Sequence, residues 1–254
     1  MTRLLVIIAA AGFVLAVVCF ALAGRFAGDL PFPAFIEAMH WSGGDDRPSW
    51  RWHGGWGGHH HSWFDASGPA VSRTLAWSGG DSLIVEVPAE VSFTQGPTTS
   101  LTVSGPKGAV DHLVVRDGRI QFDSGMRWVS PLKIVMTAPG ITKFDLSGAA
   151  SLSIAGYKQD ALNIDLSGAG AVSASGEARH VALDISGTGH ADLSGMAVED
   201  ADVDISGAGD ARIAPKASAD IEISGAGAVT LLTRPAKLTT DVSGFGQIVQ
   251  AGGG

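Results

Sequence analysis

The chain has 254 residues and a formal charge of −8, from 17 Lys and Arg against 25 Asp and Glu. That length allows one large domain or two small ones, and the acidic balance argues against nucleic acid as a partner, since no basic patch exists to neutralise phosphates. The single cysteine, Cys19, excludes an intramolecular disulfide and a cysteine-based zinc site.

Residues 4–23 carry no charge and are flanked by Arg3 and Arg25. Such a run is long enough to cross a bilayer as one apolar helix. Ala21-Leu22-Ala23 also offers the small-x-small pattern of signal-peptide cleavage. Residues 1–25 are therefore a signal peptide or a single transmembrane helix. Both readings export the rest of the chain to the periplasm or cell envelope; the second anchors it in the inner membrane through residues 4–23.

Residues 26–71 read as a largely disordered linker rich in glycine, histidine and tryptophan. Trp41, Trp50, Trp52, Trp56 and Trp63 interleave with His40, His53, His59, His60 and His61. Imidazoles in such tracts bind metal ions, which is one reading. A spacer whose tryptophans lie at the membrane–water interface is the other.

Residues 72–143 alternate in the manner of β-strands. Leu83-Ile84-Val85-Glu86-Val87, Leu101-Thr102-Val103, His112-Leu113-Val114-Val115, Arg119-Ile120-Gln121-Phe122 and Leu132-Lys133-Ile134-Val135-Met136 are the expected strands. Gly96-Pro97, Gly105-Pro106, Asp117-Gly118 and Pro139-Gly140 supply turns between them.

From residue 144 a short phrase recurs: Phe144-Asp145-Leu146-Ser147-Gly148, then copies ending in Ser167-Gly168, Ser186-Gly187, Ser206-Gly207, Ser224-Gly225 and Ser243-Gly244. The serines step by 20, 19, 20, 18 and 19 residues. The phrase is apolar–acidic–apolar, a strand with one buried face. A second glycine follows two residues later in five copies, and Ala150 takes its place in the first. Glycine adopts positive φ without steric cost, so the Ser-Gly-x-Gly stretch is expected to be a sharp corner. A second breaker, such as Gly156, Gly176 or Gly195, sits nine residues after the serine. A unit near 19 residues is too short for a β-α-β crossover and suits one turn of a stacked coil. The expected fold is an all-β parallel β-solenoid over 72–252, right-handed as parallel β connections are. Residues 72–143 would be irregular first turns, and 144–252 the regular repeats. Leu146, Leu166, Ile185, Ile205, Ile223 and Val242 would form one inward column. Phe144, Ile164, Leu183, Val203 and Ile221 would form a second.

With Val87-Pro88-Ala89-Glu90-Val91, Val103-Ser104-Gly105-Pro106, Thr137-Ala138-Pro139-Gly140-Ile141 and the Asp-Leu/Ile-Ser-Gly-x-Gly ladder, the chain resembles the auto-transporter adhesin head GIN domain proteins of bacterial envelopes. The resemblance implies a β-helix-like fold and an exported location. It brings no catalytic residues.

Three groupings could carry chemistry. Asp145, Asp165, Asp184, Asp204, Glu222 and Asp241 form an outward acidic column, thickened by Asp202 and Asp220. It is either a solvated face or a weak divalent-cation site, although the calcium β-roll pattern is missing. Beyond the corner, Ser151, Ala171, His190, Asp210, Ala228 and Gln247 form a column that places His190 beside Asp210. Ser186 lies near enough to suggest a hydrolase triad, but it belongs to six equivalent serines, which a hydrogen-bonded hydroxyl ladder explains. Asp192 and Arg212 are expected to pair one position on. A β-helix enzyme acting on polysaccharide would need a carboxylate pair at a set separation, whereas these carboxylates recur by symmetry. The sequence therefore points to a non-enzymatic envelope protein that acts as a binding, adhesion or scaffolding surface. No catalytic, cofactor or metal residue is assigned, and polysaccharide or envelope protein is the expected partner. A polysaccharide-acting enzyme and metal binding through the linker are the alternatives.

Overall fold

The computed structural model describes residues 68–123 and 130–251. The expected helix over 4–23 and nearly all of the expected linker lie outside these residues. The N-terminal part comprises β1 (Ala70–Leu75), β2 (Ser82–Val85), β3 (Ala89–Gln95) and β4 (Ser100–Pro106). A short helix α1 (Lys107–Asp111), β5 (Leu113–Arg116), β6 (Arg119–Phe122), β7 (Leu132–Ala138) and β8 (Lys143–Leu146) complete it. The repeats follow as β9 (Ala149–Leu166), β10 (Ala169–Ile185) and β11 (Thr188–Ile205), each making a whole turn. Later turns split into β12 (Asp210–Ile213) and β13 (Pro215–Ile223), then β14 (Ala228–Leu231) and β15 (Lys237–Val242), before β16 (Gln247–Gln250).

The result is an all-β solenoid of about 5 turns. Successive turns lie parallel and in register, with Leu166 beside Ile185 and Ile185 beside Ile205. The first face runs β1-β4-β7-β3, then the leading halves of β9, β10 and β11, then β12-β14-β16. The second face runs β5-β6-β2-β8, then the trailing halves of the same three strands, then β13-β15. Inward residues of both faces share one core. Both predicted aliphatic columns are buried from Phe144 to Ile223, but Val242 is 42% exposed because no described strand covers the final turn. Each buried aliphatic side chain in these columns contributes about 1.5–3 kcal/mol of transfer free energy. Phe93 on the first face meets Phe144 on the second edge-on, with centroids 5.1 Å apart and an interplanar angle of 70°.

The N-terminal part is not a run of consecutive turns. Strand β2 leads through Val87-Pro88 into β3, and this segment is the turn directly below β8 and β9. Strand β7 then returns on the far side of β3, and β4 and β1 add antiparallel strands beyond it. On the other face, β5 closes β6 as an antiparallel hairpin. The sequence pattern identifies most of these strands but misses β1 and also β3, whose Val91 and Phe93 are buried beneath the first regular turn.

The corners differ from expectation in their physical cause. Gly148 and Gly244 have positive φ, 111° and 121°. Gly168, Gly187, Gly207 and Gly225 do not, and they are glycine for another reason. A Cβ on any of these four would lie 2.0–2.1 Å from the carbonyl oxygen of the corresponding glycine one turn earlier. The backbone N–H groups of the corner serines close the stack: Ser186 donates to Leu166 at 3.0 Å and Ser206 to Ile185 at 3.0 Å. At the opposite corner Tyr157 is buried, its hydroxyl 2.5 Å from the Ala161 carbonyl oxygen.

Substituting Gly207→Ala is expected to destabilise the fold by about 3 kcal/mol or more, because the new methyl meets backbone rather than a movable side chain. Gly80→Ala, with nothing within 4 Å of its Cβ position, should change stability by less than about 0.5 kcal/mol. Urea denaturation of both variants checks the contrast; equal stabilities would refute the close-approach explanation.

Candidate functional site

Strand alternation puts the second residue of each repeat phrase on the outside of the second face. In-register stacking then aligns Asp145, Asp165, Asp184, Asp204, Glu222 and Asp241 in one column, as the period predicts. Asp202 and Asp220 face each other on the neighbouring column. An open groove of about 610 Å³ runs along this face, lined by Asp145, Asp165, Asp184, Asp204 and Glu222 among others. Its N-terminal end is less acidic: Ile84 occupies the place below Asp145, and Lys143 and Asn163 flank the column.

Like charges one strand spacing apart repel, and the carboxyls record it. Burial pushes Asp145, Asp165 and Asp184 above the usual carboxylate range. Asp145 pushes Asp165 further the same way, and Asp165 and Asp204 do so for Asp184. At Asp145 the Arg119 guanidinium opposes burial, while Glu86 adds to it. Arg119 is itself paired with Glu86. Elsewhere on the face, His180 sits 3.4 Å from Asp202, and the Ser218 hydroxyl donates to Asp200 at 2.5 Å.

The first face carries the other predicted column. Ser151, Ala171, His190, Asp210, Ala228 and Gln247 are aligned. His190 Nδ1 contacts the Asp210 carboxylate, whose hydrogen bond raises the imidazole pKa against the opposing effect of burial. Among the described residues no hydrogen bond joins the Ser186 hydroxyl to His190; the described bond of Ser186 is a backbone one to Leu166. The described hydrogen bonds of the other corner serines are backbone ones too, Ser206 to Ile185 at 3.0 Å and Ser224 to Ile205 at 2.9 Å, and none joins one hydroxyl to the next. The Asp192–Arg212 register is as expected. The Asp192 carboxylate, however, turns to accept the Ser194 N–H at 3.0 Å, and Ser194 holds its pKa down.

A further strip escaped sequence reasoning. Lys158 pairs with Glu177 at 2.8 Å and Arg179 with Asp160 at 3.0 Å, near the second corner. Both pairs are 19 residues apart, so the repeat period could have found them. Together with Glu199 and Lys216 they line an open groove of about 530 Å³. One long edge of the solenoid is thus acidic and another of mixed charge. Among the described residues, no three His, Cys, Asp or Glu side chains converge on a position fit for a metal ion. The histidines of the expected linker, His40, His53, His59, His60 and His61, lie outside those residues. Among the described residues, no helix is long and apolar enough to cross a membrane.

Repeating charge columns over a shared aliphatic core define the molecule as a β-solenoid built from one short unit. The chain belongs to the family described as "Putative auto-transporter adhesin, head GIN domain", whose model matches residues 81–235. Its fold is similar to the crystal structure of a putative adhesin from Bacteroides fragilis, at 19% identity and a TM-score of 0.60, over 73% of this chain and 99% of that one. A putative adhesin from Parabacteroides merdae is similar at 14% identity and a TM-score of 0.49, over 73% and 97% of the two chains. A putative lipid binding protein from Parabacteroides distasonis is similar at 16% identity and a TM-score of 0.44, over 73% and 98%. No curated protein matches the sequence.

Replacing Asp184 by Asn removes one of three carboxyls held above their ordinary values. A raised carboxyl opposes folding wherever it is charged in the folded state. The variant should therefore melt higher than the parent at pH 7, by an amount worth less than about 1 kcal/mol after solvent screening. The gain should vanish as pH falls through the raised range toward the unfolded value near ~4. Thermal melts across that interval check the sign; an Asn variant less stable at pH 7 would contradict it.

Proposed function

We propose that this chain is a non-enzymatic, exported envelope protein whose solenoid binds polysaccharide or envelope protein along its charged edges. The observation that carries the reading is that polar groups recur once per turn rather than converging on one point. Asp145, Asp165, Asp184 and Asp204 occupy equivalent positions on consecutive turns, an arrangement that matches an extended or repetitive partner. Catalysis needs a singular group in a singular setting. The His190–Asp210 contact on the first face is about half exposed, and no described hydrogen bond links it to a serine hydroxyl. Membership in an adhesin-type family supports the same reading. The uncharged run over 4–23 supports export, with the chain either cleaved after Ala23 or retained in the inner membrane.

The test is retention of envelope polysaccharide or protein by the immobilised full chain, compared with a variant carrying Asp145, Asp165 and Asp184 all as Ser. Binding by the parent that falls at least tenfold in the triple variant is expected. No retained partner, or depolymerisation of a glycan that His190→Ala or Asp210→Ala abolishes, would overturn the reading.

A further inference from the structure

The two ends of the solenoid are built differently. At the N-terminal end the first face is extended by β7, β4 and β1, and the second by only β6 and β5. Strands β1 and β5 pair on one side each and are antiparallel to their neighbours. That end is stepped. At the other end β15 and β16 continue the coil in parallel with β13 and β14, and neither has a further partner among the described residues. The interior is left unfinished there. Leu238 and Val242 stand over Ala219 and Ile223, yet are 41% and 42% exposed where those two are 2% and 0%. On β16, Ile248 stands over Val229 and is only partly buried where Val229 is 0% exposed.

The outer edge of β15 has a defined hydrogen-bonding phase. The Ser243 N–H points inward, to the Ile223 carbonyl oxygen at 2.7 Å. Alternation along the strand then directs the N–H and C=O of Leu238, Thr240 and Val242 outward. The strand reads Lys237-Leu238-Thr239-Thr240-Asp241-Val242. A two-fold axis through Thr239 makes this strand complementary to itself. Antiparallel pairing places Leu238 opposite Thr240 of the second copy, so that the outward backbone groups bond one another. Lys237 then lies opposite Asp241 of the second copy, and Asp241 opposite its Lys237. Thr239 meets its own equivalent in a non-hydrogen-bonded pair, where Cα atoms are about 4.5 Å apart. All inward side chains remain on the inward side, so the two aliphatic interiors join end to end. Neither Lys237 nor Asp241 makes an ion pair among the described residues.

From this phase, charge pattern and uncovered interior we infer that the β15–β16 end is a self-association surface, joining two copies of this chain through antiparallel β15 strands about Thr239. Edge strands with open backbone groups pair unless blocked, and like patches on two copies close at two. The pairing concerns the end of the coil and is independent of what the long edges bind.

The test is the oligomeric state of the full chain in detergent micelles, by sedimentation velocity across a concentration series, with circular dichroism and melting temperature as folding controls. The parent should form dimers. Lys237→Glu alone sets Glu against Asp241, and Asp241→Lys alone sets Lys against Lys237; each occurs twice in the dimer. Each should raise the dissociation constant roughly tenfold or more. The double exchange K237E/D241K restores opposite charges and should return the constant to near the parent value. In a Cys19→Ser background, Thr239→Cys should form a disulfide-linked dimer on mild oxidation, because equivalent cysteines fall within bridging distance. Asp220→Cys, one turn inward, should not. A monomeric parent overturns the inference, as does assembly that continues past two copies. A dimer indifferent to the charge exchanges also overturns it.

Discussion

The structure depends on how closely one turn can lie on the next at the Ser-Gly corner. The glycine there sits so near the carbonyl oxygen of the glycine below that no Cβ fits: one at Gly207 would lie 2.0 Å from the Gly187 oxygen. This approach aligns the turns at one point in every coil and so sets the register along the strands that leave it. Leu146, Leu166, Ile185, Ile205 and Ile223 are stacked because the corners are stacked. The inner glycines act on the same corner from inside: a Cβ at Gly189 would lie 3.0 Å from Ile185 Cγ2. The corner thus limits side-chain size on both of its surfaces, and the aliphatic columns fill what remains.

Register that aligns the core also aligns the surface. A sequence that repeats Asp between two apolar residues, folded at this spacing, must stack carboxylates. The cost appears as raised pKa values at Asp145, Asp165 and Asp184, driven first by burial and then by neighbouring carboxylates. Partial exposure keeps that cost small. Near the second corner the same stacking brings opposite charges together, as in Lys158 with Glu177. One rule of alignment yields repulsion on one edge and pairing on another, according to which residues the repeat unit supplies.

Much of this was legible in the sequence, for a physical reason: where the period holds, position within the unit determines position in space. Both inward columns, the acidic column and the His190–Asp210 contact follow from counting residues. What counting does not supply is why a residue type is required. Four corner glycines read as positive-φ positions are instead close-approach positions, a distinction that lies in the distance between turns. The turned Asp192 carboxylate depends on a local N–H at Ser194. The place of β7 between β4 and β3 was hidden because residues 72–143 do not repeat, so nothing in the spacing records their order in the sheet. Strand β3 is different: Ala89, Val91 and Phe93 alternate with Glu90, Ser92 and Thr94, so its buried face is legible in the sequence although its place in the sheet is not.

Tyr157 is the only tyrosine of the chain, and it is enclosed where the first regular turn meets the irregular part. Its phenol oxygen lies within 3.3 Å of the Ile141 carbonyl oxygen as well as close to that of Ala161. A single hydroxyl hydrogen thus serves two segments, one entering the repeats and one already within them. The aromatic ring is a keystone at the seam between two building styles. The irregular part and the regular stack are thus tied through one side chain at the point where repetition begins.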